Sequence, residues 1–167
     1  MDDDKPKLDL PAGPFSGPDT FRDLVRAALA AANEQGWREL ILCDPDFADW
    51  PLGERAVVES LGAWSQRGRR CILLARNWDE AVRRHARFVS WRRTWSHIIE
   101  AHACRSADPI EFPSAIWTPG WVLERRDLVQ CRGWTGPEPD RRLTLREKIN
   151  EWLGKSAPGF PSHTTGL

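Results

Sequence analysis

The sequence has no tyrosine, one methionine and very little lysine among its 167 residues. Lysine occurs only at positions 5, 7, 148 and 155, so arginine supplies most of the 24 basic residues. These are balanced by 24 acidic residues, and a chain without net charge has no overall field that draws it to nucleic acid or to anionic lipid. Composition therefore argues against a nucleic-acid partner and against a membrane partner.

Further absences concern membrane spans, signal peptides and cysteine motifs. No apolar run approaches the roughly 18 residues of a membrane-spanning helix, and the start MDDDKPKLDL lacks the apolar segment of a signal peptide. No C-x-x-C pair occurs, and each cysteine falls in an apolar or strand-like stretch, which is typical of reduced thiols in a core. The cysteines are Cys43, Cys71, Cys104 and Cys131. We therefore predict a cytoplasmic protein whose cysteines form neither disulfides nor a metal site.

The length and composition fit one globular domain with a substantial core. Hydrophobic residues make up 41% of the chain and charged residues 29%. Residues 1–17 hold Asp, Lys, Pro and Gly without periodicity, which predicts a flexible leader. By the same reasoning residues 156–167 are predicted to be a disordered tail. The single domain is expected over residues 18–155.

Helical and strand-like patterns alternate through this domain. Apolar residues at helical spacing, with capping residues before them, predict helices at about 20–35, 54–67, 78–97 and 145–153. Short apolar or alternating runs predict strands at about 39–43, 70–75, 99–104, 115–117, 121–124 and 128–131. The continuous apolar run CILLA is typical of a strand covered on both faces. This order predicts an α/β fold, a layered sandwich with a mixed β-sheet.

Two carboxylates, Asp44 and Asp46, follow the first predicted strand in the stretch LILCDPDFADW. A D-x-D pair after an apolar strand resembles the first motif of the haloacid-dehalogenase phosphohydrolases, in which one Asp attacks phosphorus beside Mg²⁺ and the other is the acid/base. The resemblance implies a metal-dependent phosphohydrolase or phosphodiesterase with Asp44 and Asp46 as catalytic residues. The alternative is turn chemistry, in which Pro45 fixes φ and the Asp side chains cap exposed N–H groups.

A second resemblance extends over roughly residues 20–155. The order of elements and the D-P-D…W-P-L-G segment at 44–53 resemble an uncharacterised bacterial domain related to phospholipase D. Such domains often follow a GNAT-type acetyltransferase domain. The resemblance implies half of a phospholipase D fold, a homodimer that supplies the second half, and an acetyltransferase partner acting in trans.

Phospholipase D enzymes carry H-x-K, in which His attacks phosphorus and Lys neutralises the phosphoryl oxygens. None of the four histidines here is followed by x-Lys. By element order the motif would fall at residues 114–121, a stretch with neither His nor Lys. No Gly-rich phosphate loop occurs either. The residues therefore favour a pseudoenzyme without a cofactor, acting as a binding or accessory module.

Arginines are concentrated on the long predicted helix. Arg83, Arg84 and Arg87 are the predicted ligand-binding residues, because a guanidinium group binds phosphate or carboxylate bidentately. The alternative is a solvated helix face whose cations pair with acids such as Glu80.

The segment Trp50-Pro51-Leu52-Gly53 combines a large ring, a φ-locked residue, an aliphatic side chain and a glycine. A buried Trp typically removes more than about 150 Å² from water, so we predict that Trp50 folds back over the acidic loop and is mostly buried. Such a cover is incompatible with an open catalytic cleft above Asp44.

Overall fold

The computed structural model describes residues 9–160, in which five helices and eight strands form one layered α/β unit. The strands are β1 (Gly13–Ser16), β2 (Glu39–Cys43), β3 (Arg70–Ala75), β4 (Ile99–Ala103), β5 (Ala115–Trp117), β6 (Val122–Asp127), β7 (Arg132–Gly136) and β8 (Ala157–Pro158). The helices are α1 (Pro18–Glu34), α2 (Arg55–Ser65), α3 (Asp79–Arg84), α4 (Ala86–Thr94) and α5 (Pro139–Gly154). The predicted α/β class with a mixed sheet is confirmed.

All eight strands belong to one open sheet in the order β1-β7-β6-β5-β2-β3-β4-β8. Strands β2, β3 and β4 are parallel, and each of the other pairs is antiparallel. The carboxyl ends of the three parallel strands therefore meet at one edge of the sheet, and their amino ends meet at the opposite edge. The loop with Asp44 lies at the carboxyl edge, directly after β2.

Each face of the central sheet is covered by helices, which explains why its strands are apolar throughout. Alternate residues such as Leu40 and Leu42 belong to the core beneath α1, α2 and α4. The residues between them, such as Ile41, belong to a second core that includes Leu145 and Ile149 of α5. In residues 9–160 no helix is long and apolar enough to cross a membrane.

The predicted helix at 78–97 is wrong in its continuity, because it is interrupted at His85. The backbone there has φ −122° and ψ 64°, outside the helical region, so α3 ends before it and α4 begins after it. The His85 ring is buried, and its Nε2 lies 2.8 Å from the carbonyl oxygen of Phe47, to which it donates. This contact joins residues 38 positions apart, so the local apolar pattern of the helix does not predict the break that accompanies it.

Part of the predicted leader at 1–17 is instead integrated into the sheet. Strand β1 pairs with β7, and Phe15 is buried. The carbonyl oxygen of Pro11 accepts hydrogen bonds from Trp121 Nε1 at 2.9 Å and Thr135 Oγ1 at 3.0 Å. The segment is ordered because distant strands provide partners for its polar groups and its ring. Residues 1–8 lie outside the described residues.

Part of the predicted tail at 156–167 is likewise packed on the domain. Strand β8 pairs with β4, and the Phe160 ring is buried between Trp78 and Phe88, with ring centroids 4.7 and 5.9 Å away. Arg92 Nε donates to the Phe160 carbonyl oxygen at 3.1 Å. The domain thus continues to residue 160, and residues 161–167 lie outside the described residues.

The strand predicted at 128–131 is wrong, because these residues form the turn between β6 and β7. Strand β7 begins at Arg132, and the pairing of β6 with β7 shifts register between Arg125 and Asp127. Gly133 pairs with Arg125 just before this irregularity. A Cβ atom on Gly133 would lie 2.0 Å from the Glu124 carbonyl oxygen and 2.8 Å from the Arg125 Cα atom.

We predict that Gly133→Ala destabilises the fold by about 2 kcal/mol or more, since the added methyl group would push apart two paired backbones. Gly62→Ala is the matched control: Gly62 lies within α2 and its Cβ would meet nothing within 4 Å. Because glycine is unfavourable inside a helix, this control should gain about 0.5–1 kcal/mol. Urea denaturation of both variants measures the difference, and similar stabilities for the two would contradict the close approach at Gly133.

Candidate functional site

The acidic segment after β2 forms a tight loop organised by the side chain of Asp44. The Oδ2 atom of Asp44 accepts hydrogen bonds from the backbone N–H groups of Asp46 at 3.1 Å and Phe47 at 2.8 Å. The Oδ1 atom of Asp46 accepts from the backbone N–H of Ala48 at 2.9 Å. These are Asx-type contacts, in which a short acidic side chain satisfies the backbone of the following residues. Both carboxylates are therefore used within the turn.

Arg125 of β6 completes the surroundings of Asp44 from across the sheet. Its Nη2 donates to Asp44 Oδ1 at 2.9 Å, and its Nε donates to Ser114 Oγ at 3.1 Å. Its two terminal nitrogens also bind Asp49 bidentately, at 2.6 Å and 3.1 Å. The guanidinium carbon lies 4.0 Å from the centroid of the Phe21 ring, so a cation–π contact covers one face.

This ion-pair cluster is buried on one side and open on the other. The side chains of Arg125 and Asp44 are 1% and 2% exposed, whereas Asp49 is 44% exposed. Burial raises the pKa of the Asp44 carboxyl, and Arg125, the hydroxyl of Ser114 and the two backbone N–H groups oppose that rise. Burial alone would lower the pKa of Arg125, but the hydrogen bond to Asp49 and the charge of Asp44 raise that pKa overall. The arrangement suits a structural ion pair.

A lid of aromatic and aliphatic residues closes the loop. Trp50 is 2% exposed and Leu52 is fully buried, which confirms the predicted burial of Trp50. The Trp50 ring packs edge-on against Phe47 and Phe21, with centroids 4.7 and 5.6 Å away. Phe47 itself has φ 59°, a conformation that is uncommon outside glycine and is held here by burial of its ring. The Asp44 carboxylate is therefore not at the floor of an open cleft.

The D-x-D spacing does not by itself bring together a metal site. Asp44 faces Arg125 and Asp46 faces its own turn, so the two carboxylates have different partners. In residues 9–160 no group of three or more His, Cys, Asp or Glu side chains is placed to hold a metal ion.

The segment at 114–121, where the phospholipase D motif would fall by element order, consists of β5 and the closed turn that joins it to β6. Thr118 is buried, and its Oγ1 donates to the Trp121 carbonyl oxygen at 2.5 Å. The same hydroxyl accepts from the backbone N–H of Trp121 at 2.8 Å. Ser114, at the other end, contacts Arg125. No side chain of this segment is arranged as a nucleophile with a base beside it.

The three predicted ligand-binding arginines lie on the surface but have partners within the chain. Arg83 and Arg84 both form ion pairs with Glu80, and Arg87 Nη1 donates to the Gly53 carbonyl oxygen at 2.8 Å. Because the helix breaks at His85, Arg83 and Arg84 lie on α3 while Arg87 lies on α4. Arg83 and Arg84 therefore fit the alternative interpretation of the sequence, a solvated helix face whose cations pair with acids.

Arg83 also lines a cavity of about 510 Å³ near the carboxyl ends of β3 and β4. Arg105, Trp78 and Phe160 line the same cavity. Both rings are already stacked against each other and are buried, so neither offers an open face to a ligand.

Sequence reasoning missed Arg125, the residue that organises the site. One signal was present: in VLERRD the period-two alternation that buries Leu123 also points Arg125 inward. An inward arginine requires carboxylate or carbonyl partners, and the unexplained carboxylates after β2 were available. Nothing in the pattern shows that β6 lies close enough to supply them, because β5 separates β6 from β2 in the sheet.

Comparisons with known proteins add a likeness in fold. No protein-family model matches this chain, and no curated protein matches it. Among solved structures, that of TrmBL2 is similar, with a TM-score of 0.63 and 14% sequence identity. TrmBL2 is described as an archaeal chromatin protein whose structure shows a novel mode of DNA binding. The match covers 93% of this chain and 56% of that one, so this chain spans little more than half of TrmBL2, and the likeness at this identity shows the fold alone.

We predict that Arg125→Ala lowers the free energy of unfolding by about 3–5 kcal/mol, because it leaves the buried Asp44 without its cation. Arg26→Ala is the matched control: Arg26 binds Glu54 through two nitrogens, but those side chains are 38% and 43% exposed. An exposed pair contributes little, so the control should lose less than about 1 kcal/mol. Urea denaturation of the two variants gives the comparison; equal losses would show that the Arg125 cluster is not organising the loop.

Proposed function

We propose that this chain is a non-catalytic binding or accessory module built on half of a phospholipase D-like fold. The observation that carries the proposal is the closure of the strand-end carboxylate. Asp44 is 1% exposed, is bound by Arg125, and accepts two backbone hydrogen bonds in its own loop. A nucleophile that attacks phosphorus requires access to substrate and a base or metal beside it. Asp44 instead has the surroundings of a structural carboxylate.

The second candidate is a metal-dependent phosphohydrolase using Asp44 and Asp46. It is favoured by one observation, the D-x-D pair at the carboxyl end of a parallel strand, which is where open α/β sheets bind ligands. For this function the lid at Trp50 would have to open and Arg125 would have to release Asp44. Both movements work against buried aromatic packing and a buried ion pair.

Partners of the module are proposed on two grounds. The phospholipase D-like resemblance supports a homodimer and an acetyltransferase partner supplied in trans. TrmBL2 is described as binding DNA, and this supports nucleic acid as a partner class despite the neutral composition of this chain. Net charge describes the whole molecule, whereas binding to phosphates depends on where the cations lie.

We predict no hydrolysis of p-nitrophenyl phosphate or bis-p-nitrophenyl phosphate above background, with or without Mg²⁺. The physical reason is that the sequence has no H-x-K motif and that Asp44, the candidate nucleophile, is buried and bound by Arg125. Production of nitrophenolate is the measurement. Metal-dependent turnover that disappears in Asp44→Asn and Asp46→Asn, but persists in the control Glu147→Gln on the exposed surface of α5, would overturn the proposal and support the second candidate.

We also predict a homodimer, since half of a phospholipase D-like fold obtains its second half from another copy. Light scattering at tens of micromolar protein should give twice the 19.1 kDa mass of the chain. A monomer mass under these conditions would remove the dimer from the proposal and would leave the non-catalytic module intact.

A further inference from the structure

The amino ends of β2 and β3 carry a concentration of arginines at the edge of the sheet opposite the Asp44 loop. Arg38 and Arg69 immediately precede the paired residues Glu39 and Arg70. The backbone N–H groups of Arg69 and Arg70 donate to the Arg38 carbonyl oxygen at 2.8 and 3.1 Å, which brings the two loops into contact. We name the set Arg38, Arg67, Arg69 and Arg93 the arginine edge; Arg93 belongs to the last turn of α4, the helix that leads into β4.

All four members of the arginine edge are exposed, and none forms an ion pair with another side chain in residues 9–160. The carboxylates of the adjoining strands have other cations: Glu39 pairs with Arg146, and Glu100 pairs with Arg70. Glu34, in the last turn of α1, is the remaining carboxylate close in sequence. The edge therefore carries positive charge within a chain that is neutral overall.

Attraction to the carboxyl ends of helices explains only part of why these arginines lie at this edge. The helices α1, α2 and α4 each precede a parallel strand, so their carboxyl ends lie at this edge, and cations near a helix carboxyl end contribute about 0.3–1 kcal/mol each. That attraction acts through space and leaves the N–H donors of the guanidinium groups exposed to solvent. Five donors in a planar fork match the oxygens of a phosphate group.

The surface chemistry distinguishes among polyanions. Lipid surfaces are bound by apolar side chains together with cations, but the large exposed hydrophobic residues (Val82, Ile110, Val129 and Leu143) lie outside the loops of the arginine edge. Single strands are bound by stacking of bases on open aromatic rings. Here the Trp37 indole lies against Gly120, and Trp95 packs on His97 at 5.7 Å. Duplex DNA requires neither feature, since one phosphate charge per roughly 1.7 Å of axis is available to surface cations.

We propose that the arginine edge binds the phosphate backbone of duplex DNA without reading its sequence. This inference rests on the proposed function as a binding module and assigns that module its surface and partner chemistry. The spacing of the arginines suits a row of phosphate groups. Neighbouring strands lie about 4.8 Å apart, so Arg38 and Arg69 lie side by side along one edge. The bonds are made to phosphate oxygens, so affinity falls steeply with salt and varies little with base composition.

The test compares two triple variants of the full chain that remove the same charge. Arg38→Gln/Arg67→Gln/Arg69→Gln alters the arginine edge, and Arg83→Gln/Arg84→Gln/Arg87→Gln alters the arginines near the carboxyl edge. Fluorescence anisotropy with a labelled 30-base-pair duplex is measured from about 50 to 200 mM salt. We expect the first variant to bind at least tenfold more weakly at low salt. The slope of log K against log salt should fall by about 2–3, close to 0.9 for each phosphate that is no longer neutralised. The second variant should stay within about twofold of the parent chain.

Four outcomes would overturn the inference: no binding of the duplex by the parent chain at low salt, equal losses in the two variants, tighter binding of a single strand than of the duplex, or equal binding of polyglutamate or anionic phosphatidylserine vesicles. Circular dichroism of each variant checks that the fold is retained. Hydrolysis of p-nitrophenyl phosphate esters by the same samples separates this inference from the proposed function. Turnover would contradict the non-catalytic module without affecting the binding result, whereas loss of DNA binding alone would leave that module standing.

Discussion

The guanidinium of Arg125 joins parts of the chain that are far apart in sequence. From β6 it reaches Asp44 and Asp49 in the loop after β2, Ser114 just before β5, and the Phe21 ring in α1. A cation that is 1% exposed is stable only with carboxylate and hydroxyl partners around it, so these segments have to meet at this point. The close approach of Gly133 to the β6 backbone follows from the same arrangement, because Gly133 pairs with Arg125 across the sheet.

The lid above the loop depends on this cluster. With Asp44 fixed, the chain turns through Phe47 in a left-handed conformation and places that ring among Trp50 and Trp78. The Phe47 carbonyl oxygen then accepts the hydrogen bond from His85, where α3 and α4 separate. Consecutive hydrogen bonds therefore connect the ion pair at the end of β2 with the break between α3 and α4. Aromatic pairs of this kind contribute about 0.5–1.5 kcal/mol beyond the area they bury.

The two edges of the parallel sheet have different chemistry. At the carboxyl edge, where α/β enzymes bind substrates, the polar groups are directed at one another and are covered by Trp50 and Leu52. At the amino edge the four residues of the arginine edge are exposed to solvent, and in the described part of the chain none of them forms an ion pair with a carboxylate. A neutral total charge conceals this separation, because acids such as Glu39, Glu80 and Glu124 pair with other cations.

The sequence by itself determined the α/β class, strands β2 and β3, helices α1 and α2 to within a few residues, and the burial of Trp50. These depend on periodicity and on local chemistry, which short stretches contain in full. The sequence also offered the alternative that Asp44 and Asp46 cap backbone N–H groups in a turn, and both carboxylates do accept backbone hydrogen bonds there. Tertiary structure alone decided that β1 and β8 form strands of the sheet, that the helix breaks at His85, and that Asp44 pairs with Arg125. The physical reason is that each depends on a partner far along the chain: β7 for β1, β4 for β8, Phe47 for His85, and, for Asp44, an arginine 81 residues away.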